Sequence, residues 1–299
     1  MNLKEKRIGW IGLGKMGSPM ARRLAEAGFS LNVYNRSKEK AKEFEERGVK
    51  SAGSPKEVAE VSDLIISMIS DDLALESVVL AEDGVLAGIG QGKILMDMST
   101  VSPQTSLKVD EFVRKKGAHY LRAPVSGSTK FAASGALTIF VSGPHDIYEH
   151  CAPLFGVLGQ KILYIGPGEE ARYLKLLVNM MLGTTAMMVA EALTFGEKSG
   201  IHWETMLNAI QQSVVASPLI GYKMQPLKDR NFTPAFSVAQ IAKDFDVALG
   251  AGRALSVPLP MTALVRQFYE GMKATGKGEM DFFGLLLFLE EIAGIKKNG

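Results

Sequence analysis

The stretch Arg7-Ile8-Gly9-Trp10-Ile11-Gly12-Leu13-Gly14-Lys15-Met16-Gly17 decides the fold. A short apolar run ends in glycines, and apolar residues then recur at helical spacing over 16–27 until Gly28 stops them. That is strand, turn, helix, with G-x-G-x-x-G at the junction. The first glycine permits a tight turn, the second lets backbone approach a pyrophosphate, and the third lets helix and strand pack closely. The helix N-terminus then presents free N–H groups and its positive dipole end to an anion. In this context Gly12, Leu13, Gly14, Lys15, Met16 and Gly17 predict a dinucleotide phosphate loop rather than a plain turn.

The alternation continues beyond this stretch. A strand is expected at 31–34, a helix at 38–47 ended by Gly48, and further strands at 64–69 and 94–98. Tyr120 and the runs 138–141 and 162–165 extend the series. Strands separated by helices predict an α/β fold, a Rossmann-type doubly wound parallel sheet over residues 1–165 with right-handed crossovers. Strand signals then stop. Residues 166–198 read as a long interdomain helix, its periodic part 169–198, apolar on nearly every side and so buried or sandwiched. Residues 199–299 read as an all-helical C-terminal domain for substrate and oligomerisation, with helices at 203–213, 238–255, 260–275 and 282–292.

The 299 residues suit two domains, and 46% hydrophobic with 22% charged residues is the mix of a globular protein. Lys+Arg 34 against Asp+Glu 32 leaves a net charge of +2, no field for holding nucleic acid. One cysteine, Cys151, cannot form an internal disulfide. The basic opening, residues 1–7, runs into Gly12 without the long apolar core of a signal peptide. The longest uncharged stretch, 176–190, is shorter than the ~20 apolar residues of a membrane span. A cytoplasmic protein without nucleic-acid or membrane partners is the expectation. His119, His145, His150 and His202 form no metal-ligand spacing, so no metal is expected, and no G-x-S-x-G elbow marks a hydrolase.

The end of the second strand bears on the cofactor. NAD enzymes carry Asp or Glu about 20 residues past the loop to accept from the ribose 2′-hydroxyl. Asn35, Arg36 and Ser37 stand there instead, and a guanidinium with neutral donors suits the 2′-phosphate of NADP. The bland reading of Arg36 is a solvated surface arginine. Lys175 opens the most apolar part of the long helix, with Asn179 one turn on along the same face. An ammonium there needs a partner or a task; the rival is a lysine snorkelling at the helix start.

With these residues in view, the chain resembles the β-hydroxyacid dehydrogenases. The motifs occur in order: Gly12 to Gly17, Ser99-Thr100-Val101-Ser102-Pro103, Ala123-Pro124-Val125-Ser126-Gly127, Lys175 with Asn179, and Lys243-Asp244. Within the family it is most similar to the glyoxylate/succinic semialdehyde reductase branch, on Asn35-Arg36-Ser37, Ser126-Gly127-Ser128 followed by Lys130, Asn231-Phe232-Thr233-Pro234-Ala235-Phe236, and Lys243-Asp244. The resemblance implies Lys175 as proton donor to the reduced carbonyl, with Asn179 orienting substrate or lysine. It implies Ser126, Gly127 and Ser128 as a substrate-carboxylate cradle, and Phe236 and Asp244 as site-closing residues. It also implies Met68, Ile69, Ser70, Thr100 and Lys243 as cofactor contacts.

Three places depart from the family pattern. Arg122 stands where an acidic residue is usual, Ala171 after Glu169-Glu170 replaces a glycine, and Ser237-Val238-Ala239-Gln240 replaces Pro-Leu-Lys-His. Arg122, Lys130 and Lys243 are the candidate cations for a substrate carboxylate; Arg122 is equally readable as a surface residue. The expectation is an NADPH-dependent reductase of small aldehyde acids, succinic semialdehyde or glyoxylate, to hydroxyacids, as a homodimer or homotetramer. The alternatives are a 3-hydroxyisobutyrate-type 3-hydroxyacid dehydrogenase, a non-catalytic nucleotide-binding scaffold and, third, imine reduction, which related folds carry out with other residues at the lysine position.

Overall fold

The computed structural model describes residues 6–295; most of the basic opening stretch and residues 296–299 lie outside the described residues. The chain divides into two compact units between Lys175 and Leu176.

The first unit alternates as its glycines require. β1 (Arg7–Ile11), α1 (Gly17–Glu26), β2 (Ser30–Tyr34), α2 (Glu39–Glu45), β3 (Lys50–Ser51), α3 (Pro55–Val61) and β4 (Leu64–Ser67) form its first half. Then come α4 (Asp72–Leu80), α5 (Val85–Gly88), β5 (Ile94–Asp97), α6 (Pro103–Lys115) and β6 (His119–Arg122). β7 (Val125–Ser126), α7 (Thr129–Ser134), β8 (Leu137–Ser142), α8 (His145–Leu158) and β9 (Gly159–Gly166) complete it. The sheet order is β3-β2-β1-β4-β5-β6-β8-β7, with β9 beside β8. From β3 to β6 it is the parallel Rossmann order 3-2-1-4-5-6. Every residue of β4 and β5 is buried, because helices cover both faces. One core holds Trp10, Met20, Leu24 and Phe155; the other holds Ile65, Val79, Leu95 and Val109.

The sheet is not parallel throughout, a correction to the sequence reading. β8 runs antiparallel to both β6 and β7, and only β9 returns parallel to β8. β7 continues the line of β6 along β8, with Arg122 opposite Ser142, Val125 opposite Ile139 and Ser126 opposite Thr138, so the chain reverses direction between β7 and β8.

α9 (Glu170–Lys198) starts in the first unit and continues through the second. The second unit adds α10 (Trp203–Gln212), α11 (Pro218–Asp229), α12 (Val238–Ala254), α13 (Pro260–Ala274), a 3-10 turn (Phe282–Gly284) and α14 (Leu285–Ile292). Its core joins Ala186, Val189 and Leu193 of α9 to Ile241, Phe245, Tyr269 and Phe283. A Cβ on Gly183 would lie 2.6 Å from the Phe245 ring, so glycine there lets α12 close on α9. Among the described residues, α9 is the one helix long and apolar enough to cross a membrane by length and composition. The uncharged stretch read from sequence understates it, since the helix extends past Glu191; within the unit its apolar face builds the core.

Candidate active site

The switch point of the Rossmann order lies between β1 and β4, where ligands of such sheets bind at the carboxyl strand ends. There the phosphate loop and the Met68–Ser70 loop meet. Met68 N–H donates to Ile11 O at 2.9 Å, and Gly12, at φ +100°, leaves no room for a Cβ, which would fall 2.3 Å from Met68 O. A Cβ on Gly17 would fall 2.0 Å from Gly12 O. Gly14 differs: apart from its chain neighbours, no atom of the described residues lies within 4 Å of where its Cβ would be. It borders open space at the start of α1, which has no side-chain cap and no acidic residue in its first turn. A pyrophosphate fits that cradle by shape and by dipole.

The loop residues divide by task. Leu13 is buried core and Met16 packs beside it, while Lys15 is exposed. Leu13 N–H donates to Asn35 Oδ1 at 2.9 Å, and Asn35 Nδ2 donates to Ser37 O at 2.9 Å. Asn35 therefore joins the phosphate loop to the end of β2. Arg36 and Ser37 are exposed beyond it.

The loops after β4 and β5 are tied together. Ile69 N–H donates to Ser99 Oγ at 2.9 Å, and Ser99 Oγ donates to Asp97 Oδ1 at 2.7 Å. Ser70 Oγ contacts Asp71 at 2.8 Å, and Thr100 is half-buried. At the far part of the sheet Gly127 has φ +140°, and a Cβ would meet Leu137 at 2.8 Å, so the turn Ser126-Gly127-Ser128 requires glycine. The Ser128 hydroxyl is buried without a hydrogen-bond partner among the described residues. Lys130 is exposed on the first turn of α7.

Arg122 corrects both of its readings. It is 2% exposed, its Nε donating to Glu169 Oε1 at 2.7 Å and its Nη2 lying 2.9 Å from Asp110. It is neither a surface residue nor available to a substrate carboxylate. Burial opposes its charge, yet Glu169, Tyr120 and Asp110 outweigh this and hold its pKa above the usual value. The departure noted at Arg122 is thus a buried cation held in an ion pair with Glu169.

Lys175, also in the first unit, is 8% exposed. Three residues earlier, Arg172 is buried in a network with Asp97, Ser99, Ser106 and Tyr120. Sequence reasoning missed it; the signal was a cation three residues before Lys175, on the same helix face.

In the second unit Asn179 is 1% exposed and donates to Asp244 Oδ2 at 2.5 Å. Its amide oxygen is buried and accepts from no group among the described residues. Lys243 Nζ lies 2.7 Å from Asp244 Oδ1. Phe236 stacks edge-on against Phe282 at 5.8 Å. Beneath that contact lies a second missed pair: Lys223 Nζ bonds both oxygens of Asp281 at 2.7 and 2.8 Å, and Ala235 N–H donates to Asp281 Oδ2 at 3.3 Å. Its signal was Lys223 between Ile220 and Leu227, on the buried stripe of α11. Among the described residues no group of three or more His, Cys, Asp or Glu side chains is placed to hold a metal.

Two family models and several known proteins match the chain. The model described as the NAD binding domain of 6-phosphogluconate dehydrogenase matches residues 7–166. The model described as the NAD-binding of NADP-dependent 3-hydroxyisobutyrate dehydrogenase matches residues 170–289. Glyoxylate/succinic semialdehyde reductase 1 of Arabidopsis thaliana is 34% identical, over 93% of this chain and 96% of its own. The cytokine-like nuclear factor N-PAC of Homo sapiens is also 34% identical over 93% of this chain, which spans 50% of that longer protein. The solved Mycobacterium tuberculosis 3-hydroxyisobutyrate dehydrogenase with L-serine superposes at TM-score 0.87 and 25% identity, covering 95% of this chain and 99% of that one. A phosphate cradle on a Rossmann sheet, with a reductase and a dehydrogenase matched over nearly their full length, leads to one assignment: the chain belongs to the β-hydroxyacid dehydrogenase family of NAD(P)-dependent oxidoreductases.

Proposed function

We propose that this chain is an NADPH-dependent reductase of small aldehyde acids, of the succinic semialdehyde and glyoxylate type. The observation that carries the reading is Lys175, a lysine withdrawn from water on the helix that follows the Rossmann unit. A buried ammonium needs a partner or a task. Bound NADPH supplies the hydride that reduces the aldehyde carbon. The chain's own residues do the rest. The backbone around Gly14 holds the pyrophosphate, and Arg36 with Ser37 takes the 2′-phosphate, which a carboxylate there would repel. Met68, Ile69, Ser70 and Thr100 flank the nicotinamide ribose, with Lys243 contributing to cofactor binding. Ser126, Gly127 and Ser128 offer N–H and O–H donors to the substrate carboxylate, and Phe236 and Asp244 close the site. Lys175 Nζ holds a proton for the carbonyl oxygen and donates it as negative charge develops, while Asn179 orients the reacting groups.

Lys175→Ala tests this. Turnover is expected to fall ~10²-fold or more with NADPH binding nearly intact, because the donor acts in the transition state. Near-wild-type turnover would remove Lys175 from the mechanism. Absence of turnover in the wild type itself, with nucleotide still bound, would favour the scaffold reading, for which N-PAC, named as a nuclear factor, is the relevant relative. Succinic semialdehyde should exceed butanal by ~10-fold or more in kcat/KM, since a lost charged hydrogen bond costs about 1.5–3 kcal/mol. Oxidation of a 3-hydroxy acid of the 3-hydroxyisobutyrate type is the second reading, favoured by the match over 170–289. A panel of aldehydes and hydroxyacids run with both cofactors separates the two.

The assembly belongs to the same proposal. Leu177, Met181, Met188 and Phe195 are 46%, 65%, 50% and 77% exposed along α9, an apolar stripe that supports a homodimer or homotetramer. Sedimentation of the purified protein as a monomer at micromolar concentration would count against it.

A further inference from the structure

We propose that Arg172 is a positioning residue: its buried guanidinium fastens the first turn of α9 to Asp97 and the Ser99 carbonyl, and so sets where Lys175 stands against the loops after β4 and β5. The inference rests on the proton-donor reading of Lys175.

Arg172 Nη2 donates to Asp97 Oδ2 at 2.6 Å and to the Tyr120 hydroxyl at 3.0 Å. Nη1 donates to Ser99 O at 2.7 Å, and Nε to Ser106 Oγ at 3.2 Å. The planar fork of a guanidinium reaches all of these at once; a lysine, a single nitrogen on a flexible stem, does not. Asp97 in turn accepts from Ser67 Oγ at 2.6 Å and Ser99 Oγ at 2.7 Å, and Ser99 Oγ accepts from Ile69 N–H. Both loops expected to flank the nicotinamide ribose are thus one or two hydrogen bonds from Arg172. Lys175 follows three residues later, on the same side of the helix.

Neighbouring contacts hold the same turn. Glu169 is paired with Arg122 at the end of β6, and Ala171 N–H donates to Ser142 Oγ, on β8, at 3.3 Å. The helix start is therefore pinned to β5, β6 and β8. A buried ion pair is a poor source of stability compared with well-packed apolar side chains, and its best-attested use is to select one arrangement. A displacement of 1 Å in a reacting group can cost ~10²-fold in rate. The pairing of Arg172 with Asp97 therefore points to register, not to cohesion alone.

The test uses Arg172→Lys and Asp97→Asn in the full-length enzyme, with Lys175→Ala alongside. Thermal midpoint, NADPH dissociation constant by fluorescence titration, kcat and KM for succinic semialdehyde are measured for each. Arg172→Lys keeps the charge and loses the fork; Asp97→Asn keeps the shape and loses the charge. The expected result for both is kcat lower by ~10-fold or more, with KM and the NADPH dissociation constant within ~3-fold of wild type, the signature of an effect confined to the transition state. A lower thermal midpoint with unchanged kcat in folded protein makes Arg172 merely structural and overturns the proposal. So does a loss spread equally over kcat, KM and NADPH affinity. If Arg172→Lys does not fold, Asp97→Asn decides by the same criteria. Should Lys175→Ala turn over normally, the proton-donor reading fails and takes the positioning role with it. Should Lys175→Ala be inactive while the other two match wild type, only the positioning role fails.

Discussion

At Gly14 an added Cβ would meet, apart from its chain neighbours, no atom of the described residues within 4 Å, while at Gly17 it would fall 2.0 Å from a backbone oxygen. The two glycines therefore predict different losses. Gly14→Ala should leave the thermal midpoint within about 2 °C of wild type, a shift of a few tenths of a kcal/mol, and weaken NADPH binding ~10-fold or more by occupying the space that the pyrophosphate needs. Gly17→Ala should instead destabilise the fold by ~2 kcal/mol or more, since backbone must move to admit the methyl. Thermal melts with NADPH titrations separate the pair. Arg36 is exposed at the end of β2, where Asn35 is already engaged with Leu13 and Ser37. Arg36→Ala should weaken NADPH roughly 10- to 150-fold, the loss of one charged hydrogen bond, and leave NADH nearly unchanged. Equal use of both cofactors by the wild type would refute the 2′-phosphate assignment.

Elements are held by caps and by the pairs beneath them. Ser54 accepts from Glu57 N–H at the start of α3, and Ser217 from Ile220 N–H at the start of α11, each ahead of a proline in the first turn. α11 escapes the sequence reading because Gly221 and Pro226 interrupt its pattern, yet burial of Ile220, Lys223 and Leu227 keeps it helical. The Lys223–Asp281 pair, about 95% buried on each side chain, joins α11 to the segment before the 3-10 turn. Lys223→Met should cost ~3–5 kcal/mol in urea unfolding, because it strands a buried carboxylate. Adding Asp281→Asn should recover part of that loss; full additivity would mean that the two side chains act independently.

For the whole molecule, the buried acids predict alkaline sensitivity. Burial pushes the Cys151 thiol from 9.0 up to about 12. Burial, with Asp97 nearby, also pushes the Tyr120 hydroxyl from 10.0 up to about 12, against the pull of Arg172 and Arg122. A raised folded pKa stabilises the protein fully below the unfolded value and ceases to as pH climbs through the folded one. Stability should therefore begin to fall near pH 9 and keep falling toward 12, by ~1.4 kcal/mol per pH unit for each group while only the unfolded form ionises. Urea unfolding at pH 7.5 and pH 10 measures it, and Cys151→Ala should lose less over that interval than wild type. An equal loss would mean that Cys151 does not take part. At neutral pH the same burial should keep the folded thiol unreactive toward iodoacetamide.

What the chain determines locally, its sequence shows. The phosphate loop, the alternation through β6 and the length of α9 depend on glycine placement and apolar period, which act within a few residues. That Lys175 and Asn179 share one face of α9 was legible because helical spacing relates them directly. The antiparallel return of β8, and the partners of Arg122, Arg172 and Lys223, were not. Those pairs join residues 47, 75 and 58 positions apart. A sequence displays such charges but not what they meet, so Arg122 read as a substrate cation or a surface residue until Glu169 came to its side. Charge pairing over that range is decided by which strands and helices pack together, because only burial makes a cation depend on one partner instead of on water.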